Sequence, residues 1–171
     1  MRFLLHFALI LCTNLAFTTI KAQGCTQGKD PFTGVETVEY LFYEILQFKS
    51  TQSGAILKLR HSQTAVVETT IPKGSPFLIK LENGTIIEST TTEDAKSRSG
   101  ASTSVNSGGS TYSEVYLIVE LSHDQLKQLS ESEATHIRHM DFDGEIKTTE
   151  IANKYVIKHL TKGAKCMTDK K

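Results

Sequence analysis

The sequence predicts an α+β fold: a mainly antiparallel β-sheet built from hairpins, with one short internal helix and a C-terminal helix packed on the sheet. Three observations carry this. Asn83-Gly84 and Asp143-Gly144 each sit between runs rich in aliphatic and β-branched residues, the strongest short-range hairpin signal. Residues 112–121 alternate strictly, with Val115, Leu117, Val119 and Leu121 on one side and Glu114, Tyr116, Ile118 and Glu120 on the other. Beyond residue 150 the pairs Ile151/Ala152, Tyr155/Val156 and His159/Leu160 recur every four residues, the period of an amphipathic helix.

Taken in order, residues 1–22 read as a secretory signal peptide. Arg2 supplies the positive start, residues 3–15 the apolar stretch, and Ala22 the small residue before the cut. That stretch falls short of the roughly 20 apolar residues a membrane span needs, and nothing later approaches it. Residues 23–171 then form a single domain. Residues 23–34 are polar and turn-rich, an irregular lead-in. Residues 35–48 read as a strand apolar on both sides, or as two strands meeting at a bulge. Residues 55–60 and 65–71 are strand-like, the latter closed by a turn at Pro72-Lys73-Gly74-Ser75.

A two-residue type I′ turn at Asn83-Gly84 places Leu81 opposite Ile86 and Lys80 opposite Ile87, so that Phe77, Ile79, Leu81 and Ile86 share the buried face. Residues 90–111 are dense in Ser, Thr and Gly and are expected to be a flexible loop. Ser122-His123-Asp124-Gln125 has the form of a capping box, opening a short helix to about residue 130 with Leu126 and Leu129 inward. In the second hairpin a type I′ turn sets Asp141 opposite Ile146 and His139 opposite Thr148, with Ile137, His139 and Ile146 on one face. The last helix is expected to end near Gly163, with Cys166 just beyond it.

The formal charge is zero, so no net basic field points to nucleic acid or to an anionic membrane surface. Losing residues 1–22 removes Cys12 and leaves Cys25 and Cys166 at opposite ends. In an oxidising compartment such a pair reads as a disulfide. The rival reading lipidates Cys25, behind the poor lipobox Ala22-Gln23-Gly24.

No motif specifies a reaction. His136 and His139, three apart on a strand, fall on opposite faces and cannot chelate together, and His61, His123 and His159 are scattered. His139 reads as a hydrogen-bonded residue on the core face. Glu36, Glu39 and Glu44 offer a carboxylate pair on paper, yet such residues usually mark a solvated strand face. There is no Gly-x-Ser-x-Gly elbow or phosphate-cradling glycine loop, and Asn83-Gly84-Thr85 is formally a glycosylation sequon. No catalytic residue, metal or cofactor is expected.

Several of these segments together carry a family likeness. Asp30-Pro31-Phe32-Thr33-Gly34 precedes the first strand, and Phe77-x-Ile79-x-Leu81-x-Asn83-Gly84 forms the middle hairpin. Residues 117–129 pass from strand to helix, and Ile137-Arg138 through Asp143-Gly144-Glu145-Ile146 lead to a helix ending near a cysteine. The chain resembles the small secreted proteins of uncharacterised function common in Bacteroidetes, and Ala22-Gln23 is similar to that group's cleavage site. The resemblance implies a bacterial, exported α+β domain, in the periplasm, on the outer membrane or outside the cell, and assigns no catalytic residue. His139 departs from it, standing where an aliphatic residue is expected. With no site specified by any motif, the expected function is that of a non-catalytic exported protein acting in binding or envelope upkeep, its partner a protein or an envelope component. A small secreted hydrolase and an inhibitor using the 90–111 loop are the alternatives.

Overall fold

The computed structural model describes residues 24–102 and 110–169, so residues 1–22, expected to be a signal peptide, lie outside the described residues. The elements are β1 (Gly24–Lys29), β2 (Glu36–Phe42), β3 (Leu46–Ser50), β4 (Gly54–Gln63), β5 (Thr70–Ile71), β6 (Pro76–Leu81), β7 (Ile86–Thr90), β8 (Ala95–Lys96), β9 (Arg98–Ser102), β10 (Ser110–Ser122), α1 (His123–Glu131), β11 (Ala134–Met140), β12 (Ile146–Glu150) and α2 (Lys154–Thr168). They build a six-stranded sheet in the order β1-β2-β3-β4-β10-β9, a four-stranded sheet β12-β11-β6-β7, and the short pair β5-β8. Every pairing is antiparallel. The fold is α+β with a mainly antiparallel sheet, as the hairpin signals predict.

One face of the large sheet carries the core. Register aligns Tyr40, Phe48, Leu57 and Val119 across four strands, and all four are buried. The adjacent row, Glu39, Lys49, Ile56 and Glu120, points the other way, because successive residues alternate faces. Helix α2 lies on the β2–β3 half of the inner face and packs against α1. The small sheet continues from the large one through the bridge Thr91↔Val119, and residues of both sheets enter one core.

Several expectations change here. Residues 24–29 are not an irregular lead-in but an edge strand; wet on both sides, it shows no apolar alternation to read. Residues 35–48 are two strands, turning at Tyr43, whose φ is 47°. Of residues 65–71, only Thr70 and Ile71 form a strand. Residues 90–111, expected to be a loop, contain β8, β9 and the start of β10; residues 103–109 lie outside the described residues. Thr91 and Ala95 are buried there, and Ser97 Oγ accepts from Thr69 N–H at 2.9 Å, so small polar residues complete backbone bonds instead of staying solvated.

Helix α2 runs past Gly163. A Cβ at that position would meet the Phe48 ring at 2.3 Å, so this glycine marks close helix–sheet approach, not a stop. Cys166 therefore sits in the last turns of α2, not beyond it. The capping box is formed: Ser122 accepts from Gln125 N–H, and the Gln125 side chain accepts from Ser122 N–H.

Both Asx-Gly hairpins differ from the type I′ expectation by one residue. Lys80 pairs with Ile86 and Ile79 with Ile87; Met140 pairs with Ile146 and His139 with Lys147. The turns are three-residue loops in which only the glycine is left-handed, Gly84 at φ 88° and Gly144 at φ 81°. The extra residue reverses the faces: Ile87 is buried while Ile86 and Ile146 are exposed.

Candidate functional site

The slipped register of the second hairpin gathers titratable side chains at the edge of the core. With β12 shifted, Lys147 and not Ile146 stands on the side of Asp141, and its ammonium donates to Asp141 Oδ2 at 2.8 Å and also to Asp143. His139, buried on the inner face of β11, meets His61 of β4 edge-to-face, with ring centroids 4.4 Å apart. His61 Nε2 donates to Asp141 Oδ1 at 2.8 Å, and the Phe142 ring packs against it with centroids 5.1 Å apart. Both Asp141 oxygens are thus taken. The cluster spans the seam between the two sheets.

The bonds fix the tautomers. Met140 carbonyl can only accept, so His139 Nδ1, 2.7 Å away, carries the proton. Burial holds the His139 imidazole below its ordinary value, with His61 adding to the shift and the Met140 and Asp141 contacts opposing it. Burial alone would raise the Asp141 carboxyl, but the bonds from Lys147, His61 and Phe142 N–H outweigh it and hold the group well below the carboxylate range. Hydrogen bonds to Asp141 and Asp143 raise the Lys147 ammonium in turn.

Chemically, Asp141 orienting His61 is the supporting half of a general-base arrangement. The other half is a nucleophile within hydrogen-bond reach of the free ring nitrogen, and among the described residues no hydroxyl or thiol bonds His61. Nor do the described residues contain a group of three or more His, Cys, Asp or Glu able to hold a metal ion. A polar groove of about 590 Å3 opens elsewhere, lined by Glu68, Thr69, Thr70, Lys96, Ser97 and Ser99, and no residue of the histidine cluster lines it.

Of the residues singled out from sequence, Cys25 and Cys166 form a disulfide that ties β1 to α2, with Cα atoms 5.8 Å apart across 141 residues. His136 and His139 do take opposite faces, His139 buried and His136 half-buried. His61 is not scattered but faces His139. His159 forms a second grouping: its Nδ1 shares a hydrogen bond of 2.5 Å with Tyr40 Oη, and its ring stacks on Phe42 at 3.6 Å. Glu36 opens β2, Glu44 lies in the turn between β2 and β3, and Glu39 faces Lys49 at 3.7 Å, an exposed pair. Ser99 bonds Ser113, a structural role. Asn83 is exposed, its side chain accepting from Thr85 N–H at 3.0 Å.

Sequence reasoning missed the His61–Asp141 pair, whose members are 80 residues apart, one on β4 and the other in the loop between β11 and β12. The available signal was His139 itself, a basic group on a core-facing position that needed a partner. No protein-family model, curated protein or solved structure matches the chain.

Proposed function

We propose that this is an exported bacterial protein of the cell envelope that acts by binding and not by catalysis. The Cys25–Cys166 bond supports the address, because such cross-links persist where thiols are not kept reduced. No helix among the described residues is long and apolar enough to cross a membrane. The observation that favours binding is that Asp141 spends both oxygens on His61 and Lys147, while among the described residues no hydroxyl or thiol bonds the free nitrogen of His61. Fractionation of the native cell tests the address. The protein should appear outside the cytoplasm, begin at Gln23 and carry no free thiol; a cytoplasmic protein with both thiols free overturns it.

A small hydrolase is the second reading, and the His61–Asp141 pair is the observation in its favour. Assays of the mature protein on ester, glycoside and peptide substrates decide between the two. Turnover abolished by Asp141→Asn in a variant that still folds would replace the binding reading with the enzyme.

A further inference from the structure

The zero net charge hides a local segregation. Helix α2 carries Lys154, Lys158, Lys162 and Lys165, all exposed, and no acidic residue. At about 100° per residue these four fall within about 80° of one another, and Tyr155 lies about 20° beyond Lys162. Tyr155 is 68% exposed. The opposite face, with Leu160, Gly163, Ala164 and Met167, is buried against the sheet. Among the described residues no carboxylate lies within salt-bridge distance of any of these lysines.

The arrangement works against the helix that carries it. Like charges four residues apart repel, as at 154/158 and 158/162, and Lys154 in the first turn opposes the helix dipole. The field reaches His159, whose imidazole is lowered by burial and then by Lys162 and Lys158. Among the described residues no carboxylate pairs with these lysines to offset the repulsion. A surface outside the protein would.

We propose that the exposed face of α2 docks on an anionic lipid bilayer, its lysines on the headgroups and Tyr155 at the interface. Charge complementarity points to an anionic occupant, since single-sign rows about 16 Å long suit an extended negative surface. The exposed tyrosine on the same arc favours a bilayer over a soluble polymer, because tyrosine has an apolar ring and a polar tip suited to the headgroup level. This deepens the envelope reading and rests on it for location only. A vesicle experiment asks nothing of export, so a cytoplasmic address would overturn that reading and leave the docking face standing.

The test is co-sedimentation of the disulfide-bonded mature protein with vesicles of phosphatidylcholine, with and without about 30% phosphatidylglycerol. Binding should require the anionic lipid and weaken steeply as salt rises from about 0.05 to 0.5 M. Each lysine near such a surface is worth about fivefold, so K158Q/K162Q should bind about 25-fold more weakly. Tyr155→Ser should lose about fivefold on vesicles and nothing on soluble polyglutamate. All substituted positions are exposed, and an unchanged thermal transition confirms that the variants fold. Equal binding to neutral vesicles, or undiminished binding by K158Q/K162Q, overturns the proposal. So does tighter binding to polyglutamate than to vesicles, which would make the occupant an acidic polymer.

Discussion

The hairpins at Asn83-Gly84 and Asp143-Gly144 are built on one backbone plan and come to opposite ends. In each, the residue two before the Asx exchanges bonds across the loop: Leu81 N–H to Thr85 O at 2.9 Å, and Asp141 N–H to Glu145 O at 2.8 Å. Each glycine N–H returns to that same residue's carbonyl at 3.0 Å, and each Asx Oδ1 accepts from the residue after glycine at 3.0 Å. The side chains at the matching positions then diverge. Leu81 and Ile87 are buried apolar groups, whereas Asp141 and Lys147 are an ion pair. The turn sets register, and the neighbours decide what register is worth. Strand β7 runs on into the bridge with β10, while β12 is an edge with every residue exposed.

The largest expected effect follows from that contrast. Ile87→Ala should cost about 2–5 kcal/mol through lost burial and the cavity left behind. Ile146→Ala, one position earlier in the matching hairpin, should stay within about 0.5 kcal/mol. Chemical denaturation of both variants measures this, and similar losses at the two sites would erase the distinction between the hairpins. Next in size is Asp141→Asn, expected to cost about 1.5–3 kcal/mol by removing charged bonds from both His61 and Lys147. A cycle with Lys147→Met should show coupling, and additive losses would mean the pair contributes nothing jointly. Third, Gly84→Ala and Gly144→Ala should each cost about 1 kcal/mol, because both glycines are left-handed. Equal penalties in unlike surroundings would isolate the shared turn.

How much of this was legible varies by level. Strand alternation at Val115, Leu117, Val119 and Leu121, the capping box at Ser122 and the cysteine pair at the chain ends were readable, because each depends on local chemistry or on one simple count. Hairpin register was not read correctly, because an Asx-Gly pair serves both two- and three-residue loops and both Ile86 and Ile87 are apolar. A warning was present. The type I′ register would have put Glu88 on the buried face beside Ile86, and Glu150 likewise in the second hairpin. The meeting of His61 with His139 was not legible at all, since it requires knowing that the end of β4 meets β11 across the two sheets. The lysines of α2 were spaced in plain view, but their common exposure follows only once Gly163 and Leu160 are known to face the sheet.

The smallest effect separates the hairpins by pH. The first has no titratable side chain on its buried face, while the second has His139. That imidazole is held low by burial, so the unfolded chain takes up a proton before the folded one does. Its contribution to stability is fully present above the unfolded value near 6.5 and is lost as pH falls through the window below it. His159, lowered by burial and by Lys162 and Lys158, acts in the same direction. Unfolding free energy should therefore decline from pH 7.5 toward pH 5.5, before the carboxylates begin to protonate. His139→Leu should flatten part of that decline, leaving the share owed to His159. Ile87→Val should shift the whole curve down without changing its slope. If His139→Leu keeps the full slope in a folded protein, the histidine seam does not report pH, and the two hairpins differ only in burial.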